Sequence, residues 1–205
     1  MAISTYAELQ TAIADFLNRD DLTSVIPTFI SLAEAQIARD VRHWRMEKRA
    51  ESDLTAGDQF HALPTDFCEF VRLKIEDYPL ALMSTDEMQH ERYKRGDASG
   101  QPTGYCLTGG EIELFPTPDS AYSLVMTYIR TIPALSDSNN TNWLLQYAPD
   151  VLLYGSLVQS APYLHDDERA LVWGALYTAG VDKLNSSSDK AEMSGTNLKM
   201  TIRSY

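Results

Sequence analysis

The first fifty positions place apolar residues at helical spacing between short polar breaks. Tyr6, Leu9, Ile13, Phe16 and Leu17 follow Thr5, and Glu8 stands where the partner of a capping box belongs. Asn18-Arg-Asp-Asp-Leu-Thr breaks the stripe and is expected to cap a second helix. Pro27 suits a first helical turn, where amides have no intrahelical partner. Ile26, Phe29, Ile30, Ala33, Ile37 and Val41 form the second stripe. So short a link predicts antiparallel neighbours, an αα-hairpin.

After Trp44 the period shortens. Arg45 to Thr55 reads as a strand, Ala56-Gly-Asp58 as a turn, and Gln59 to Leu63 as a short return strand. Phe67 to Ile75 alternates, with Phe67, Val71, Leu73 and Ile75 on one face and Arg72 and Lys74 on the other. Cys68 shares a face with Phe70, which predicts a buried thiol. Tyr78-Pro-Leu-Ala-Leu is a brief extended piece. Ser84 begins a capped helix running to Arg95, with acids first and bases last. Gly109-Gly110 predicts a tight hairpin between Tyr105–Thr108 and Glu111–Phe115, and Ala121 to Ile132 reads as a further strand.

Helical periodicity then returns. Asn142 or Trp143 starts a short helix, and Pro149 opens the next, which Pro162 is expected to end. Asp166-Asp-Glu168 is expected to open a last helix carrying Leu171, Val172, Trp173, Leu176, Val181 and Leu184. Ser186-Ser-Ser reads as the start of a polar tail. Gly155, Gly174 and Gly180 sit inside these apolar helices, at a propensity cost of up to about 1 kcal/mol each, which either close helix approach or loose packing could explain. The fold class is therefore α+β. A helical hairpin (1–43) and C-terminal helices (133–185) form one body, with a small antiparallel β subdomain (44–132) inserted and a C-terminal arm (186–205) following.

Several of these stretches, in this order, resemble the adaptor, or head-to-tail connector, proteins of tailed bacteriophages. They are Thr5-Tyr-Ala-Glu-Leu, Leu17-Asn-Arg-Asp-Asp-Leu, Ile30-Ser-Leu-Ala-Glu-Ala-Gln-Ile-Ala-Arg-Asp-Val-Arg, Leu63-Pro-Thr-Asp-Phe and Asn142-Trp-Leu-Leu-Gln-Tyr-Ala-Pro-Asp-Val-Leu-Leu-Tyr-Gly-Ser-Leu. The resemblance implies a structural virion protein at the head–tail junction, assembled in the host cytoplasm. It implies a homo-oligomeric ring of about twelve copies beneath the portal. A portal protein and a tail or nozzle protein would be its partners, and genomic DNA would pass through the hole. It also implies a C-terminal arm that grips the portal.

Composition narrows the picture further. The chain has 205 residues, 29 acids and 17 bases, for a net charge of −12. The acid excess is concentrated between residues 51 and 130, with 14 acids against 6 bases. Such a chain is a poor candidate for tight DNA binding, which depends on Lys and Arg displacing phosphate counterions. It suits a wall that DNA slides past. Two cysteines argue against a disulfide scaffold. There is no leader pattern and no run of about 18 apolar residues, so neither export by the usual signal nor membrane insertion is expected.

No constellation supports catalysis. His43, His61, His90 and His165 fall in separate segments, no metal-ligand spacing occurs, and no nucleophile–base pair stands out. Neither an enzyme activity, a metal nor a cofactor is expected. Arg39, Arg42, Arg45, Lys48 and Arg49, beside Trp44, form the one dense basic run. It is either a dipole-favoured helix end followed by a solvated strand, or an interface to an acidic partner or neighbouring subunit. The alternative function is a nucleic-acid-binding module using the same run. Near the C-terminus, Leu198, Met200, Ile202 and Tyr205 stand out in a polar segment and are the candidate portal-binding arm.

Overall fold

The computed structural model describes residues 3–96, 98–164 and 168–194. In chain order the elements are helices α1 (Tyr6–Leu17) and α2 (Ile26–Asp40), then strands β1 (Glu47–Asp53), β2 (Phe60–Ala62), β3 (Phe67–Ile75), β4 (Tyr78–Pro79) and β5 (Ala81–Leu82). Helix α3 (Thr85–Arg95) precedes β6 (Gly104–Thr108), β7 (Glu111–Phe115) and β8 (Ser123–Arg130). Helices α4 (Trp143–Tyr147), α5 (Pro149–Leu164) and α6 (Ala170–Met193) follow. The chain is thus α+β, in two compact units: residues 46–131, and the described residues on either side of that span.

The helical unit follows from its stripes. The Thr5 hydroxyl accepts from the Glu8 amide at 3.3 Å, and the Glu8 carboxylate accepts from the Thr5 amide at 3.0 Å. Asn18 closes α1 in the left-handed conformation at φ 54°. Leu9, Ile13, Ile26, Phe29, Ile30, Ala33, Ile37 and Val41 are all buried. Phe16 is the exception at 45% exposed, because it lies at the flank of the stripe, edge-on to Tyr154. The polar break does not cap α2. Val25 occupies that position without a side-chain bond, and Pro27 supplies the first turn. Helix α5 is the central member and packs against α1, α2 and α6.

Glycines mark the closest approaches. A Cβ on Gly155 would meet the Tyr177 ring at 3.3 Å and Ala33 at 3.4 Å, and one on Gly180 would meet Val151 at 2.9 Å. Close packing therefore accounts for two of the three helical glycines, while Gly174 has nothing within 4 Å. Pro162 does not end α5, which continues to Leu164. Helix α6 begins at Ala170 after Arg169 and continues through Ser186–Ser188 to Met193. The polar tail therefore begins later than its composition suggests. Asp166 and Asp167, expected to open that helix, lie outside the described residues, as does His165.

The second unit contains two four-stranded sheets, ordered β1-β8-β3-β4 and β2-β7-β6-β5. Leu73 and Ile75 of β3, Leu124, Met126 and Tyr128 of β8, Tyr105 of β6, and Ile112 and Leu114 of β7 share one apolar core. The expected β1–β2 hairpin does not form. The two strands belong to different sheets, β1 pairing with β8 and β2 with β7. The unit is also not wholly antiparallel: β5 pairs parallel with β6, which α3 permits by carrying the chain back across the sheet. The β6–β7 hairpin turns at Gly109 and Gly110, at φ 60° and 98°.

Strand β3 departs from simple alternation. Its pairing with β8 shifts between Phe67 and Glu69 and again between Phe70 and Arg72. Each bulge turns later residues by one position. Phe70 consequently packs against the core, whereas Val71 is 49% exposed. Cys68, expected to be buried, is exposed for the same reason; Cys106 is the buried thiol.

Candidate assembly interface

The exit of α2 carries the basic run, and α6 clamps it. The Asn185 side chain accepts from the Arg42 amide at 3.0 Å and donates to the Asp40 carbonyl at 3.0 Å. Ser188 accepts from the Trp44 amide at 2.8 Å. Tyr177 donates to Asp40 at 2.8 Å, and burial followed by that bond pushes the Tyr177 phenol well above its ordinary range. The clamp brings residues of α6, some of them read from sequence as tail, onto the loop after α2.

His43 organises the loop from within. It is 2% exposed and stacks on Trp143 at 5.2 Å between centroids, with Trp44 at 5.6 Å and Tyr147 at 5.9 Å. The Arg45 amide donates to His43 Nδ1 at 3.2 Å, so Nδ1 is the unprotonated nitrogen. The Arg45 guanidinium then lies over the Trp44 ring at 5.0 Å and the Tyr147 ring at 4.9 Å. Both rings are about half exposed, and Arg45 is exposed with them.

The predicted contact residues divide into four groups. Arg42 donates to the Ala38 and Val41 carbonyls at 2.9 and 2.8 Å, finishing the helix end. Arg39 is exposed on the last turn of α2, and Trp44 and Arg45 form the stacked group. Lys48 and Arg49 belong to β1 in the other unit and have partners there. Lys48 pairs with Asp66 at 2.7 Å, and Arg49 pairs with Glu51. Leu198, Met200, Ile202 and Tyr205 lie outside the described residues.

Sequence reading missed Trp143 and Tyr147, four apart on one short helix, a spacing that puts both rings on one side. It also missed the ion pair inside the β unit. Arg92 of α3 donates to Glu113 at 2.7 Å and to the Leu114 carbonyl at 2.9 Å, and its guanidinium lies over Phe115. Burial first, then Glu113 beside it, pushes the Cys106 thiol up, away from nucleophile chemistry.

A surface hollow of about 500 Å³ runs beside α1, between Ile3, Ala7, Thr11, Ala12 and Phe16. Its carboxylates are Glu8, tied into the α1 cap, and Asp15. On α6, Leu171 and Val172 are 85% and 60% exposed. Among the described residues no group of three or more His, Cys, Asp or Glu could hold a metal, and no helix is long and apolar enough to cross a membrane.

The described surface carries exposed aromatic, apolar and cationic groups on an α+β scaffold. The profile of one family, described as SU10 adaptor protein, matches residues 4–199. The chain belongs to that family of phage adaptor proteins, and is a phage structural protein of head–tail assembly. Membership implies a structural rather than an enzymatic role. A search of the curated proteins finds no match.

Proposed function

We propose that the protein forms a ring of about twelve copies beneath the portal, joining head to tail while genomic DNA passes through. The observation that carries this reading is the family match across residues 4–199. The charge agrees with it. At −12 per chain, a ring wall repels phosphate and lets DNA move without sticking. A portal protein on one side and a tail or nozzle protein on the other are the partners this placement requires. The residues assigned to contacts are Arg39, Arg42, Trp44 and Arg45 of the helical unit, and Lys48 and Arg49 of β1. Leu198, Met200, Ile202 and Tyr205 would reach the portal.

Truncation tests the arm. A chain lacking residues 195–205 keeps every described element, so its melting temperature should match that of the full chain. Its retention on portal-bearing capsids in co-sedimentation should fall. Attachment equal to that of the full chain would remove the arm from the account. For the DNA-binding alternative, a salt-sensitive gel shift with duplex DNA at micromolar protein is the signature, and the ring reading predicts none.

A further inference from the structure

The stacked guanidinium of Arg45 has no ion pair or hydrogen bond of its own among the described residues, unlike Arg42, Lys48 and Arg49. The Trp44 and Tyr147 rings both lie within about 5 Å of it, and the buried His43 holds its backbone by accepting through Nδ1. A guanidinium already held between two rings loses little rotamer freedom on binding and offers a fork of donors that matches a carboxylate. Trp, Tyr and Arg in one cluster is the composition that dominates protein interfaces.

We propose that Arg45 is an inter-subunit anchor, taking a carboxylate from the acidic β unit of a neighbouring copy of this chain. The proposal rests on the ring reading and names one of its contacts. Charge complementarity supports it. Residues 51–130 carry 14 acids against 6 bases, while the exit of α2 presents Arg39 and Arg45. A ring uses two different patches on each subunit, one meeting the other on the next copy, and this chain has a cationic and an anionic one. DNA phosphate is the disfavoured occupant, because a chain of net charge −12 repels it.

Sedimentation of the full chain over a concentration series tests the anchor. The wild-type chain should self-associate, and Arg45→Ala should weaken association by about tenfold or more. The melting temperature should be unchanged, since the side chain is exposed. Arg45→Lys should not restore association, because an ammonium neither stacks flat nor forks. Association of Arg45→Ala equal to wild type, or a wild-type chain that stays monomeric throughout, overturns the proposal. Duplex DNA binding lost in Arg45→Ala with association intact would assign the guanidinium to phosphate and overturn it as well. Portal docking by a variant whose self-contact ignores Arg45 would sink the anchor and leave the ring standing.

Discussion

Asp66 shows how far a residue's role can lie from its sequence neighbourhood. It accepts from Lys48 and from the fully buried Tyr128 hydroxyl, both at 2.7 Å. These bonds, Lys48 first, hold its carboxyl below the usual carboxylate range. The folded state therefore favours the ionised form. The stabilisation is present above the unfolded pKa of about 4 and is lost as pH falls through the lowered folded value. Urea midpoints of wild type and Asp66→Asn should differ steadily near neutrality and converge in acid. A gap that persists in acid would mean the side chain contributes by shape alone. Tyr128→Phe should cost about 1–2 kcal/mol through the hydrogen bond lost to the Asp66 carboxylate. Lys48 read as a free base in sequence because nothing local pairs it with Asp66, eighteen residues away.

Elements were legible where a single period runs unbroken. The cap at Thr5, both apolar stripes and the Gly109-Gly110 hairpin follow directly from residue order. Strand β3 did not, because its two bulges break the alternation that would have placed Val71 beside Leu73 and Ile75 on the core face. The end of α6 did not either: Ser186–Ser188 look like a tail, yet Ser188 and Asn185 are the clamp on α2. Helix packing makes the glycines a sharp test. Gly174→Ala should stabilise by about 0.5–1 kcal/mol, the helix-propensity gain. Gly180→Ala should destabilise by about 1 kcal/mol, since its methyl meets a stiff Val151. Equal shifts in the urea midpoint would contradict the close approach. Helix α3 is tied to the sheet through Arg92, whose loss leaves Glu113, 5% exposed, without its ion-pair partner. Arg92→Ala should cost about 3 kcal/mol, with early amide exchange across α3 in a hydrogen-exchange time course. Protection across α3 equal to wild type would show that Met88 and its apolar neighbours suffice.

At the scale of the whole molecule, two units divide the labour. The helical unit takes its stability from stripes contributed by both ends of the chain, and it presents the stacked Arg45. The β unit holds most of the acid excess and pairs three of its cations, Lys48, Arg49 and Arg92, internally. The family was legible in sequence because packing and turn signals recur in order along the chain. The proposed contact surface was legible only as a basic run. Which members keep free donors depends on contacts between residues as far apart as Arg45 and Tyr147. The central claim is that this chain closes a ring on the portal. Native mass of the purified portal, before and after addition of the full-length protein, tests it most directly. The account predicts a discrete increment of about twelve chains, with a central hole in the corresponding particle images. A portal whose mass does not change, beside a protein that stays monomeric, would contradict it.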